Sequence, residues 1–177
     1  MLNTANNWAP VNGLCLSWPS AARLADKHDP YPFNGSVLLD NWEAALARTM
    51  QTNFWPSLGG GGLEQVGATQ AVNELLLQSF EGFLRFFPGW PLGETARFSS
   101  LRAVGAFLVS ATVDEFGMVE NVTVVSEAGR DCTFLPFKDN QIVWNRGKQV
   151  KLSHPSCASG QRCVRFATIR GDRYLIE

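Results

Sequence analysis

The side chains able to do chemistry are scattered along this chain. Cys15, Cys132, Cys157 and Cys163 include no Cys-x-x-Cys pair, and His28 and His154 lie far apart. The clustered ligands of a zinc site are therefore missing, and no metal or cofactor is expected. No Gly-x-Ser-x-Gly elbow occurs. The run Gly59-Gly60-Gly61-Gly62 lacks the Lys-Ser/Thr that a phosphate-cradling loop requires. Cys157 and Cys163 could close a small loop in an oxidising compartment. With no basic start and no apolar segment at the N-terminus, no signal peptide is visible, so four reduced thiols are the expectation. The excess is aromatic: 6 Trp and 12 Phe against 2 Tyr, beside 16 Gly. That composition suits stacking on sugar rings and suits a plain core equally. Trp55 and Trp90 could do either.

The bulk properties bound the class. A chain of 177 residues makes one domain or two small ones. Hydrophobic residues at 45% and charged residues at 18% exclude a disordered or charged coiled-coil chain. A net charge of −1 gives no electrostatic case for nucleic acid or an anionic membrane as partner. No apolar run approaches the roughly 20 residues of a membrane helix.

The elements that must position these residues change character near residue 82. Before it, the apolar spacing is helical: Leu38, Trp42, Ala45, Leu46 and Thr49 share a face ending at Met50. A shorter helix is predicted over 17–27 and a third over 67–80, stopped by Gly82. After residue 82 the pattern is β. Strands are predicted over 83–87, 103–113, 118–126, 132–135, 141–144, 148–152, 164–169 and 173–176. Asp114-Glu115-Phe116-Gly117 reads as a hairpin turn, and Gly171-Asp172 as a second one joining the last two strands. Helices first and strands after indicate an α+β chain by segregation. The helix faces carry more apolar surface than so few helices bury on each other.

At the third helix the residues become recognisable. The glycine run continues into Leu63-Glu64-Gln65 and is followed by Asn73-Glu74-Leu75-Leu76-Leu77-Gln78-Ser79-Phe80-Glu81-Gly82. Then come Arg85-Phe86-Phe87-Pro88-Gly89-Trp90-Pro91 and Leu101-Arg102-Ala103-Val104-Gly105-Ala106-Phe107-Leu108-Val109-Ser110-Ala111. This ordered motif resembles the C-terminal part of glycoside hydrolase family 95, the α-L-fucosidase-like enzymes. It continues through Val124-Val125-Ser126-Glu127-Ala128-Gly129 to Cys132, covering 59–132 well and 15–177 loosely.

The resemblance implies the terminal helices of an (α/α)6 barrel over 1–88, followed by a C-terminal antiparallel β-sandwich over 89–177. It also implies a deficit. Inverting hydrolysis needs a carboxylic acid and a separate carboxylate base, and the family's acid comes from helices upstream of this stretch. On the base side the family has Ile-Asp-Gly-Asn where this chain has Gly62-Leu63-Glu64-Gln65. Leu63 takes the aspartate's place and Glu64 is one position off. Glu64 is thus the catalytic candidate, or a glutamate favourable at a helix start. Gln65, Trp55 and Trp90 are the substrate-binding candidates. The expected function is the C-terminal portion of a glycoside hydrolase acting on α-L-fucosides or related bonds, inactive by itself. The alternative is a carbohydrate-binding module with Trp90 and Trp144 exposed, or a module completing a barrel. Expected partners are carbohydrate and either the missing upstream barrel half or further copies of the chain.

Overall fold

The computed structural model describes residues 20, 22–23, 35–53, 57, 63–157 and 160–177. They fall in two compact units. One comprises the described part of Met1–Leu76 with Pro88–Pro91; the other comprises Leu77–Phe87 and Leu92–Glu177.

The first unit is helical. Helix α1 spans Gly35–Thr49 and α2 spans Leu63–Leu76. Gly35, Leu38 and Ala45 form the buried stripe of α1. At its end Arg48 complements the helix dipole, and the Thr49 hydroxyl donates to the Ala45 carbonyl at 2.6 Å. Gly35 cannot be replaced without movement, because a Cβ would overlap the carbonyl oxygen of Gly89. Ala71 and Leu75 of α2 are fully buried, and Arg23 pairs with Glu74 at 2.7 Å. The predicted helix over 17–27 lies largely outside the described residues, of which Ser20, Ala22 and Arg23 are helical.

The second unit is two layers of β-structure. Its main sheet has six strands in the order β3-β4-β5-β10-β7-β8, every described pairing antiparallel. These are β3 Ala96–Ala103, β4 Phe107–Val113, β5 Val119–Ser126, β7 Val143–Asn145, β8 Lys148–Gln149 and β10 Arg173–Ile176. The smaller layer pairs β6 Cys132–Phe134 with β9 Val164–Phe166. Leu84 adds a parallel bridge to Phe134. It links β6 to a small hairpin of β1 Leu77–Gln78 and β2 Arg85–Phe86. Strict alternation along β4, with Phe107, Val109, Ala111 and Val113 buried, shows one face of the main sheet closed and one open. The closed face meets the smaller layer through rings: Phe166 on Tyr174 at 5.1 Å and Phe87 on Phe98 at 5.2 Å. Phe134, fully buried, touches Phe86, Phe137 and Phe166.

This architecture overturns the expected fold class of terminal (α/α)6-barrel helices followed by a β-sandwich. The described residues hold two helices against ten strands, which is a β-rich fold with a helical pair. The third predicted helix is the telling case. It ends at Leu76 because Leu77 and Gln78 take up antiparallel pairing with Phe86 and Arg85 instead. Two further expectations are corrected. The single strand over 103–113 is broken by Gly105 and Ala106, both at positive φ, which turn β3 into β4. The hairpin placed at Gly171-Asp172 does not exist, since β9 pairs with β6 and β10 with β5 and β7. The chain changes layer between them.

The thiol expectation is corrected as well. Cys157 and Cys163 form a disulfide, with Cα atoms 5.8 Å apart. It closes the tip of a narrow ladder in which Ser153 pairs with Arg165 and Ser156 with Arg162. Such a short loop restricts the unfolded chain modestly. Replacing both cysteines by serine is expected to cost about 2 kcal/mol in denaturant unfolding, with the sheet's circular-dichroism signature intact.

Candidate functional site

Of the catalytic and substrate-binding candidates, only Trp90 has a described side chain. Glu64 and Gln65 occupy the first turn of α2. Trp55 lies outside the described residues. Trp90 is half-buried in the helical unit. Trp90 lines none of the three cavities described on the β unit.

The largest of these cavities is on the open face of the main sheet. The sequence places Trp144, Leu175 and Thr123 on separate strands, and the register puts them on one row: Leu175 lies opposite both Trp144 and Thr123. The row continues to Ser110 on β4. β7 and β8 are joined by Arg146-Gly147, with φ of 48° and 75°. Two left-handed residues between paired strands make a type I′ turn, the geometry that matches strand twist. That turn fixes Trp144 two residues before its tip. The indole Nε1 donates to Glu177 Oε2 at 2.9 Å, so the ring is held from the neighbouring strand.

A buried aspartate supports the same corner. Asp172, with its side chain 5% exposed, accepts from Arg146 Nη2 at 2.5 Å and from Asn145 Nδ2 at 3.1 Å. Behind it the layer change is fastened by hydroxyls. Thr168 Oγ1 donates to the Arg130 carbonyl at 2.6 Å, so the 2.6 Å contact with Ser126 is donated by Ser126. The Tyr174 hydroxyl accepts from the Ile169 N–H at 2.7 Å. The buried Tyr174 ring thus keeps its polar end satisfied.

The result is a shallow depression of about 790 Å³ lined by Thr123, Trp144, Arg146, Asp172, Arg173 and Glu177 among others. A second trough of about 420 Å³ shares Thr123, Arg173 and Leu175 with it and extends to Arg97, Ser110 and Asn121. Chemically this face offers one indole, several hydroxyls and guanidinium groups. Its two carboxylates in the larger depression are committed: Asp172 to Arg146 and Asn145, Glu177 to Trp144. Such a surface stacks and hydrogen-bonds. Sequence reasoning named Trp144 as an aromatic but missed Thr123, Arg146, Asp172, Arg173 and Glu177. Period-two alternation over 173–177 marked the outward residues of β10; the neighbour on each side of that strand carried no local signal.

Among the described residues no group of three His, Cys, Asp or Glu side chains could hold a metal ion, and no helix is long and apolar enough to cross a membrane. No protein-family model matches the chain, and no characterised protein matches it.

Cys132 is the other reactive group within the β unit. It is fully buried, and desolvation pushes its thiol up from 9.0 to about 12. Folding therefore favours the protonated form. The associated stability is complete below about pH 9 and is lost as pH rises toward 12. In a Cys15→Ser background without added reductant, a thiol reagent at pH 8 is expected to label Cys132 only after denaturation. Rapid labelling of the folded protein would contradict this burial.

Proposed function

We propose that the β unit binds carbohydrate without cleaving it, on the open face of its main sheet around Trp144. The observation that carries this reading is the indole, held by Glu177, lining one depression together with the Thr123 hydroxyl and the guanidinium groups of Arg146 and Arg173. A sugar presents an apolar ring face and a rim of hydroxyls. An oriented indole matches the first, and Thr123, Arg146 and Arg173 match the second. The depression falls within the roughly 300–1,000 Å³ range of small-ligand sites. The six-stranded sheet supplies rigidity, so little ordering is needed on binding.

The resemblance of 59–132 to the fucosidase-like hydrolases supports the carbohydrate context and suggests fucosylated glycans as the first ligands to try. Glycan-array profiling followed by calorimetry tests the reading. Trp144→Ala is expected to lose about 2 kcal/mol or more of binding, roughly 30-fold, and Trp144→Phe to lose less. Silence across diverse glycans would remove the proposal.

A second reading, the C-terminal portion of a glycoside hydrolase, draws on Glu64 in the first turn of α2. One carboxylate cannot serve as both acid and base. The chain alone is therefore expected to release no product from aryl α-L-fucosides. Turnover abolished by Glu64→Gln would make it catalytic and displace the binding reading.

A further inference from the structure

The run Asn121-Val122-Thr123 has the Asn-x-Ser/Thr spacing that N-linked glycosylation requires, with no proline between. It falls on β5, where the pairing with β4 is irregular. Thr123 lies opposite Ser110 and Glu120 opposite Thr112, so Asn121 and Val122 together face the single residue Ala111. Two residues against one make a β-bulge. Asn121 takes its first position at a φ of 53°, a left-handed conformation that glycine usually supplies and that asparagine tolerates better than most side chains. The extra residue resets the alternation along the strand. Val119 and Val122 are both buried although three positions apart, and Glu120 and Asn121 between them are both exposed. Asn121 and Thr123 line one trough of the open face.

We propose that Asn121 is an acceptor for an N-linked glycan. The donor is an oligosaccharide carried on a polyisoprenyl diphosphate, and the transfer is made by a separate enzyme. A bond forms between Asn121 Nδ2 and C1 of the first sugar. The C1–O bond to the diphosphate breaks, the lipid diphosphate leaves, and the amide gives up one proton. Nδ2 keeps its other proton, which is enough for the hydrogen bond it donates to Thr112 Oγ1 at 3.0 Å. An exposed residue on a solvated sheet face leaves the bulky sugar in water. The Cys157–Cys163 disulfide points to the same setting independently, since such bonds form and persist in oxidising compartments, the secretory route among them. The other such triplet, Asn34-Gly35-Ser36, runs into the start of α1, where Gly35 is buried against the Gly89 carbonyl. Asn34 itself lies outside the described residues. The assignment does not rest on binding at Trp144, whose depression Asn121 does not line.

Intact-mass spectrometry tests it on the full chain carrying Asn34→Gln, expressed in eukaryotic cells behind an added signal sequence and recovered from cells and medium together. The protein is expected to be heavier than its sequence by one core oligosaccharide. An amidase that releases glycans from asparagine, used in heavy-oxygen water, should remove that mass and leave a labelled carboxylate at position 121. Thr123→Ser should keep most of the added mass, and Thr123→Ala should lose it. Asn121→Gly removes the acceptor and puts at the bulge the residue its φ favours, so it is expected to fold with the Cys157–Cys163 disulfide formed and to carry no glycan. Recovery of the Asn34→Gln protein at its unmodified mass, or added mass retained by Asn121→Gly or by Thr123→Ala, would each overturn the assignment.

Discussion

The β unit depends on burial of aromatic rings between its two layers. Phe134 from β6, Phe166 from β9 and Tyr174 from β10 form a chain of contacts from the smaller layer to the main sheet. Phe86 and Phe87 extend it at one end, toward Phe134 and Phe98. Each large ring removes much apolar surface from water, about 1.5–3 kcal/mol per fully buried large side chain. No single strand of the smaller layer, at two or three residues each, would persist without that burial. The abundance of phenylalanine is thereby explained as core, with phenylalanine doing the work in place of longer strands.

Closing one face of the main sheet leaves the other open, and the functional surface follows. Trp144, Leu175 and Thr123 face outward because Val143, Ile176 and Val122 face inward. The site and the core are thus two sides of the same register. A slip of one residue between β10 and either neighbour would exchange them, turning the indole inward and the valine out. The Asp172 corner opposes that slip. Its carboxylate holds Asn145 and Arg146 at the end of β7, and its carbonyl accepts from the Ser126 N–H at 3.0 Å at the end of β5. One residue ties three adjacent strands.

The helical reading went furthest astray where propensity and pairing compete. Leu75, Leu76 and Leu77 are all good helix residues, so the periodicity ran on to Phe80. The structure stops it at Leu76, since Leu77 and Gln78 gain strand partners and the Val104 N–H donates to the Ser79 hydroxyl at 3.0 Å. These contacts come from residues far along the chain. The two described helices and the β-rich remainder replace the expected barrel segment.

What the sequence by itself determined is local: helix α1 and its apolar face, the Asp114–Gly117 turn, and the runs that become β4, β5 and β10. Each follows from the period of its own hydrophobic pattern or from a turn residue, as where Asp114 Oδ1 accepts from the N–H groups of Phe116 and Met118. The catalytic and substrate-binding candidates did not come from such a pattern: Glu64 and Gln65 came from a resemblance, Trp55 and Trp90 from the aromatic composition. Only the tertiary structure decided which strands are neighbours. It set β10 between β5 and β7, carried β9 into the other layer, and joined Cys157 to Cys163. Pairing across a sheet is chosen by the burial of whole faces against one another, a sum over distant segments that no window of sequence contains.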